Sequence, residues 1–403
     1  MGTPSAHLPP SLSTESIQAL CRSVQLPLPD DVVPVSVAAE YHSIYFLSFS
    51  AESARQIRPA LQPGSISPDG TATLVLRVSG RHLPGIKTRN EIGVMSWVRQ
   101  NTNIPLPTVI RHDDSEENPI GHEFTLLEKI PGVSVDKIYD TLTEGQKQRL
   151  VEQLADYVIQ LHGKPWNSCV GGLVAVNGTE EVQPGPPVEE TFWQKPDIAE
   201  HWPGETVDSL NPVTEGAFQS YTAYIAGSIH CYIHAIKTHD SLAPFRDLIP
   251  RLSAFAEVIR TPKHASLDDA VYILAHKDMH FGNIMCDPSK GEEIPITAVL
   301  DWEFSGIVPA NRWNPARAFL WSTKRDDDSK ADQEKLENFL RKIVQEKAPH
   351  ILKEMEPSPE QEAMQAVQSY VRAIVEVSPR GQCSDRVSSW KAVVEKNFEF
   401  FGV

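Results

Sequence analysis

The 403-residue chain lacks the features that mark disulfide-rich, membrane-spanning and nucleic-acid-binding proteins. Its cysteines are few and widely spaced, and none forms a C-x-x-C pair, which argues against a disulfide framework or a structural zinc site. No apolar run approaches the roughly 18 residues needed to cross a bilayer, and the first residues lack the apolar core of a secretory signal. We therefore expect a cytoplasmic protein with no membrane contact.

Basic residues are fewer than acidic ones, 37 against 53, so the net charge is −16 and the isoelectric point is about 5.3. An acidic surface repels nucleic-acid phosphates, so we expect no nucleic-acid partner. The same charge favours cationic small molecules over anionic ones as ligands. Oligomeric state is left open by the sequence, with a monomer favoured.

The pattern of apolar residues divides the chain into two unlike parts. Before residue 131, alternating or continuous apolar runs such as "TATLVLRVSG" and "HEFTLLEK" predict strands, and "KTRNEIGVMSWVRQN" predicts one helix. From Glu144 onward helical periodicity dominates, beginning with Leu150, Leu154, Val158 and Leu161 on one helical face. The fold class is therefore α+β, with a small β-rich lobe over residues 1–130 and a helical lobe over residues 131–403. A cleft between two such lobes is a common place for a ligand.

Two acidic residues follow short apolar strands in the second part of the chain. Asp278 comes after "VYILAHK" and Asp301 after "ITAVL", and Asn283 lies five residues beyond Asp278. If the two strands pair, both carboxylates emerge at the same edge of the sheet. Carboxylate and amide oxygens of this kind suit Mg²⁺, which keeps one or two carboxylates together with phosphate oxygens of a substrate.

A complementary pair of charges is predicted in the small lobe. Arg77 ends the third strand and Glu91 lies in the first turns of the helix that follows. A carboxylate at that place can hold the guanidinium toward the cleft, where its planar fork can bind phosphate oxygens bidentately.

The segments "HKDMHFGNIM", "VLDWE", "VLRV" and "LLEKIPG" together resemble the aminoglycoside phosphotransferase family. The resemblance covers roughly residues 35–320 and depends on an H-x-D-x-x-x-x-N motif combined with D-W-E. It implies a protein-kinase-like two-lobe fold and the use of ATP and Mg²⁺.

The resemblance also implies a role for individual residues. Asp278 would be the catalytic aspartate, and Asn283 and Asp301 would be the magnesium ligands. Arg77 would hold phosphate with Glu91 as its partner, and the backbone from Glu128 to Ile130 would meet the adenine. In the first β-turn, which contains no glycine, His42 and Ser43 would have to cover the phosphates.

The activity that the resemblance implies is transfer of the γ-phosphoryl group of ATP to a hydroxyl of a small molecule. Lys277, which stands where the family motif has glycine, and the glycine-free turn motivate an alternative: a kinase-fold protein that binds nucleotide or partners without phosphoryl transfer. A biosynthetic enzyme that uses a phosphorylated intermediate is a further alternative. A protein kinase is disfavoured because no A-P-E motif follows D-W-E.

Overall fold

The structure is a computed structural model that describes residues 7–35, 41–176, 181–318, 327–382 and 384–403. Residues 36–40, which include the first three residues of the predicted glycine-free turn "AAEYHSIY", lie outside the described residues, as does Cys383. In chain order, the strands are β1 Asp31–Val35, β2 His42–Phe49, β3 Ala72–Ser79, β4 Val109–Asp113, β5 Phe124–Glu128, β6 Val133–Ser134, β7 Gly172–Ala175, β8 Val182–Gly185, β9 Tyr272–Ala275, β10 Ile284–Cys286, β11 Ile296–Val299 and β12 Gly306–Pro309.

The helices are concentrated in the second half of the chain. They are α1 Thr14–Ser23, α2 Ile86–Asn101, α3 Val135–Ile138, α4 Glu144–His162, α5 Lys195–His201, α6 Val207–Leu210, α7 Tyr221–Thr238, α8 Ile249–Val258, α9 Pro315–Ala318, α10 Asp327–Lys347, α11 Pro349–Glu354, α12 Pro359–Val377 and α13 Ser384–Phe398. None of the helices so described is long and apolar enough to cross a membrane.

A five-stranded antiparallel sheet forms the small lobe, with strand order β1-β2-β3-β5-β4. The alternation of side chains gives β3 two unlike faces. Leu74, Leu76 and Val78 are buried on one face, in a core shared with Ile17 and Leu20 of α1. The opposite face carries Arg77 and therefore looks toward the second lobe.

Helix α2 ties the two lobes together instead of covering the apolar core of the sheet. Its buried Val94, Met95 and Trp97 belong to the core of the larger lobe. A Cβ atom at Gly93 would lie 2.4 Å from the carbonyl oxygen of Leu173, so glycine permits the close approach of α2 to β7. The predicted lobe boundary at residue 130 stays a prediction. The chain leaves the large sheet after Glu128 and joins another at β6.

The larger lobe packs helices around short strands, and α4 shows why the sequence predicted it well. The predicted apolar face is buried, because Leu150, Leu154, Val158 and Leu161 are each at most 1% exposed. Thr143 begins the helix with a reciprocal capping box to Gln146, which satisfies amide groups that the first turn leaves free. The predicted α+β fold with a β-rich lobe and a larger helical lobe is confirmed.

Two predictions about local structure are wrong. The strands before Asp278 and Asp301 do not pair with each other: β9 pairs with β12, and β11 pairs with β10. The proline, glycine and acidic residues of 172–213 predict one long loop, but this segment contains the β7–β8 hairpin and the helices α5 and α6. Both errors come from proline- and glycine-rich segments, such as Gly306–Pro309, whose composition is unusual for strands.

Candidate active site

The loops that carry Asp278 and Asp301 meet through one buried histidine, although their strands do not pair. His276 is 0% exposed, and its Nε2 atom donates to the carbonyl of Leu300 at 2.8 Å. Its Nδ1 atom accepts from the amide of Asp278 at 3.2 Å. Burial lowers the pKa of His276, which keeps the neutral ring that this bonding pattern requires. His276 therefore braces both loops.

Asn283 is held against Asp278 by its amide nitrogen. The Nδ2 atom donates to the Asp278 carbonyl oxygen at 3.0 Å and lies 3.2 Å from its Oδ2 atom. The backbone amide of Leu300 donates to the carbonyl of Asn283 at 2.8 Å, which connects this loop to the one that carries Asp301. The side chain of His280 lies 3.5 Å from Asp278 Oδ2. Burial disfavours a charge on His280, yet the carboxylate of Asp278 outweighs burial and raises the pKa.

Arg77 connects the sheet of the small lobe to the second loop. It forms an ion pair with Glu91, as predicted, and its Nη2 atom lies 2.8 Å from Oδ1 of Asp301. Burial opposes the charge on Arg77, but the carboxylates of Glu91, Asp301 and Glu303 together raise its pKa. Asp301 has a φ of +63°, a left-handed conformation that residues other than glycine seldom adopt.

Beneath this pair lies a second, fully buried one that joins Lys87 to Glu303. The ammonium group of Lys87 lies 2.8 Å from Glu303 Oε2, so the two groups form an ion pair. The geometry of this contact does not meet the angle requirements of a hydrogen bond. Glu303 is also 3.4 Å from His42 Nε2 and 3.7 Å from Arg77 Nη2. Burial raises the pKa of Glu303 to about 7, although Lys87 and Arg77 pull it down. We refer to Arg77, Lys87, Glu91, Asp301 and Glu303 as the cleft ion network.

The two residues predicted to cover phosphates have different positions. His42 is buried against the cleft ion network, and burial together with Lys87 and Arg77 lowers its pKa well below the usual value. Ser43, one residue on, lies on the opposite face of β2, and its hydroxyl donates to the carbonyl of Pro9 at 3.3 Å. The structure does not bring Ser43 into the cleft.

At the end of β5, the Glu128 side chain is already engaged. Its carboxylate accepts hydrogen bonds from the amide and hydroxyl of Thr108, each at 2.7 Å, and from the amide of Gln62 at 2.9 Å. Because the Glu128 carboxylate is already bound, a ligand could contact residues 128–130 only through backbone groups. Within the described residues, the amide of Ile130 has no hydrogen-bond partner.

The oxygen atoms of Asn283 and Asp301 fit a magnesium ion that is completed by phosphate. Because the Asn283 nitrogen binds Asp278, its Oδ1 atom is left to ligate, and Asp301 Oδ2 has no partner among the described residues. No group of three His, Cys, Asp or Glu side chains in the described ranges could hold a metal. These two oxygens would therefore need phosphate and water ligands, the usual manner of Mg²⁺.

A cavity of about 480 Å³ opens beside Asp278, and we call it the acceptor cavity. Aromatic side chains form much of its wall, and charged ones line it as well. They include Glu189, Trp193, Tyr221, Tyr224, Lys277, Arg312, Arg372 and Glu376. The sequence singled out only Lys277 and the loop "FWQKPDIAEHW", which holds Trp193 and could either cap a substrate or pack on the large lobe. It missed the others, because they come from distant segments with no shared motif. Lys87 was missed too, since a lysine near the start of a helix usually faces solvent.

Fold and site together define a two-lobed α+β protein with an ionic cleft and a cavity next to an aspartate. Residues 66–169 match the family model APH, described as the phosphotransferase enzyme family, which confirms the resemblance to the aminoglycoside phosphotransferase family. The matched segment contains Arg77, Glu91 and Glu128, whereas Asp278, Asn283 and Asp301 lie beyond it.

Matches to individual proteins are distant or short. A subtelomeric hrmA-associated cluster protein of Aspergillus fumigatus is 29% identical over 69 residues, which span 17% of this chain and only 14% of that relative. Similar solved structures include the aminoglycoside phosphotransferase APH(4)-Ia, at 14% identity and a TM-score of 0.48 over 96% of this chain and 99% of that one. A putative aminoglycoside phosphotransferase from Ralstonia eutropha has 14% identity and a TM-score of 0.44 over 97% and 99% of the two chains.

Proposed function

We propose that the chain transfers the γ-phosphoryl group of ATP, bound with Mg²⁺, to a hydroxyl of a small molecule in the acceptor cavity. The observation that carries the proposal is the convergence of Asp278, Asn283, Asp301 and Arg77 from two lobes on one cleft. Location in the cytoplasm and a monomeric state remain predictions of the sequence.

In this proposal each residue acts on a defined part of the reaction. Asp278 faces the cavity and would orient the acceptor hydroxyl and take its proton. Arg77 would hold phosphate oxygens, and Asn283 Oδ1 and Asp301 would hold the metal, which when bound neutralises charge on the phosphates. Phosphoryl transfer passes through a loose transition state, so positioning and charge neutralisation supply most of the catalysis.

Lys277 does not weaken this proposal as the sequence alone suggested it could. Its ammonium group lies 2.9 Å from Glu189 Oε1 and donates to the carbonyl of Val188 at 2.7 Å. Lys277 is therefore engaged by the cavity wall instead of neutralising Asp278. This contact favours a catalytic protein over a nucleotide-binding protein that has lost phosphoryl transfer.

The test is incubation with Mg²⁺ and ATP, or GTP as the comparator, together with a fractionated metabolite extract. Product is detected as an added phosphate mass, and Asp278→Asn is run in parallel. We expect a phosphorylated product with the wild-type chain and none with Asp278→Asn. Nucleotide binding without turnover of any fraction would favour the non-catalytic alternative, and a dehydrated or ligated product would favour a biosynthetic enzyme.

A further inference from the structure

One arginine in the acceptor cavity forms no ion pair within the described part of the chain. Arg312 closes a short turn of residues 310–312, and among the described residues it makes no hydrogen bond or ion pair. Its guanidinium carbon lies 5.9 Å from the ring centre of Tyr221. The next residue, Trp313, donates from its Nε1 atom to the carbonyl of His276 at 3.1 Å. Arg312 is therefore fixed relative to the loop that carries Asp278.

A buried hydroxyl without a partner lies beside this arginine. Tyr221 is 2% exposed, and its hydroxyl has no hydrogen-bond partner in the described part of the chain. Tyr221 and Arg312 both line the acceptor cavity. A buried hydroxyl left unbonded costs free energy, so the pair is suited to an acceptor atom supplied by a ligand.

Two carboxylates of the cavity wall are paired with cations other than Arg312. Glu189 pairs with Lys277 at 2.9 Å, and Glu376 pairs with Arg372 at 2.8 Å. Arg312 thus adds a positive charge that these carboxylates do not balance. A guanidinium only donates hydrogen bonds, and a phenol hydroxyl can donate one more, so the two groups together match the oxygens of a carboxylate.

We propose that the acceptor carries a carboxylate bound by Arg312 and Tyr221, with its hydroxyl directed to Asp278 and an apolar body against the aromatic wall. This inference rests on the proposed function, in that it makes the cavity the acceptor site. It replaces the expectation of a cationic acceptor, which came from net charge alone. The overall charge of −16 says little about the surroundings of Arg312, because Glu189 and Glu376 of the cavity wall are paired with other cations.

The test compares three probes of one shape: 3-phenylpropanoate, its carboxamide, and 3-phenylpropylamine. Affinities are measured by calorimetry on the full chain with saturating MgADP, so that the nucleotide site is occupied. We expect the carboxylate to bind at least tenfold more tightly than the amide, and the amine to bind most weakly. In Arg312→Gln the carboxylate and amide should differ by less than twofold, while Tyr221→Phe should weaken only the carboxylate, several-fold.

Arg260→Gln is the matched control, because Arg260 is an exposed arginine outside the cavity. It should leave all three affinities unchanged. The proposal would be overturned if the carboxylate and the amide bound equally, or if the amine bound more tightly than the carboxylate. It would also be overturned if Arg312→Gln still discriminated between carboxylate and amide, or if the carboxylate did not bind at millimolar concentration. This test measures binding and not turnover, so its outcome is independent of the test of the proposed function. If the chain bound the carboxylate selectively but never transferred phosphate, the proposed function would be refuted and the carboxylate site would remain supported.

Discussion

Arg77 Nη2 and Asp301 Oδ1 lie 2.8 Å apart, so a strand of the small lobe and a loop of the large lobe share one ion pair. The guanidinium is also bound to Glu91, and both Arg77 and Glu91 are almost inaccessible to solvent. The contact between the two lobes is therefore electrostatic as well as apolar.

Removing the carboxylate of Asp278 should abolish turnover while leaving nucleotide bound. We expect Asp278→Asn to lower the rate of phosphoryl transfer by about 10²–10⁴-fold, the usual contribution of a positioned acid–base group. The affinity for MgATP should change by less than threefold, since Asp278 faces the acceptor cavity. Asp287→Asn is the control, because Asp287 is a half-buried aspartate nearby that only caps Ser289. Parallel loss of activity in that control would mean that the effect is not specific to Asp278.

Replacing Arg77 by methionine should affect both folding and nucleotide binding. It leaves Glu91 buried without a cation, which costs about 3–5 kcal/mol in the free energy of unfolding when one partner of a buried pair is removed. Denaturant titration measures this cost. Adding Glu91→Gln to Arg77→Met should restore part of the stability but not the affinity for MgATP. If the double variant bound MgATP normally, Arg77 would have no role in holding phosphate.

The Lys87–Glu303 pair should show strong coupling in a double-mutant cycle. Lys87→Met alone leaves Glu303 buried beside Asp301 and Glu91, and we expect it to destabilise the chain by about 3 kcal/mol. Glu303→Gln alone should cost less, because burial already favours the protonated carboxyl. The double variant should be more stable than Lys87→Met. Additive losses would indicate that the two groups do not interact. The exposed pair of Arg81 and Glu116 serves as a control with coupling below about 1 kcal/mol.

His82 should make the fold sensitive to acid. Burial, with a smaller contribution from Lys87, lowers the pKa of His82 to about 4 in the folded chain. In the unfolded chain His82 is protonated near its ordinary pKa of about 6.5, so the unfolded chain binds the proton at a higher pH. Its contribution to stability is complete above pH 6.5 and is lost as pH falls toward 4. Linkage gives a loss of about 2 kcal/mol between pH 7 and pH 5. Denaturant titrations of His82→Gln should show a correspondingly shallower decline, and identical pH profiles for the two proteins would contradict this account.

Long periodic segments were predictable from sequence because one physical pattern determines each of them. The face of α4 and the strand β3 follow directly from spacing of apolar residues. Strand β4 was missed, because "VIRHD" has only two apolar residues. The pairing of β9 with β12 was missed because Gly306 and Pro309 are poor strand formers.

Within the site, motif residues were predictable and their surroundings were not. The H-x-D-x-x-x-x-N and D-W-E spacing selected Asp278, Asn283 and Asp301, which the structure brings together through His276. The cavity wall depends on long-range packing of segments near Glu189, Tyr221, Arg312 and Glu376, for which one sequence carries no signal. Buried charges such as Lys87 contradict the ordinary preference of lysine for solvent, so no composition rule could have found them.

The left-handed backbone of Asp301 limits which residues could replace it in a descendant of this chain. Asparagine and glycine tolerate that conformation, whereas β-branched residues are strained in it. If the proposed activity were lost after gene duplication, we would expect Asn or Gly at this position before bulkier replacements. For the same reason Asp301→Asn is a conservative variant, because it should remove the carboxylate charge without straining the backbone of the loop.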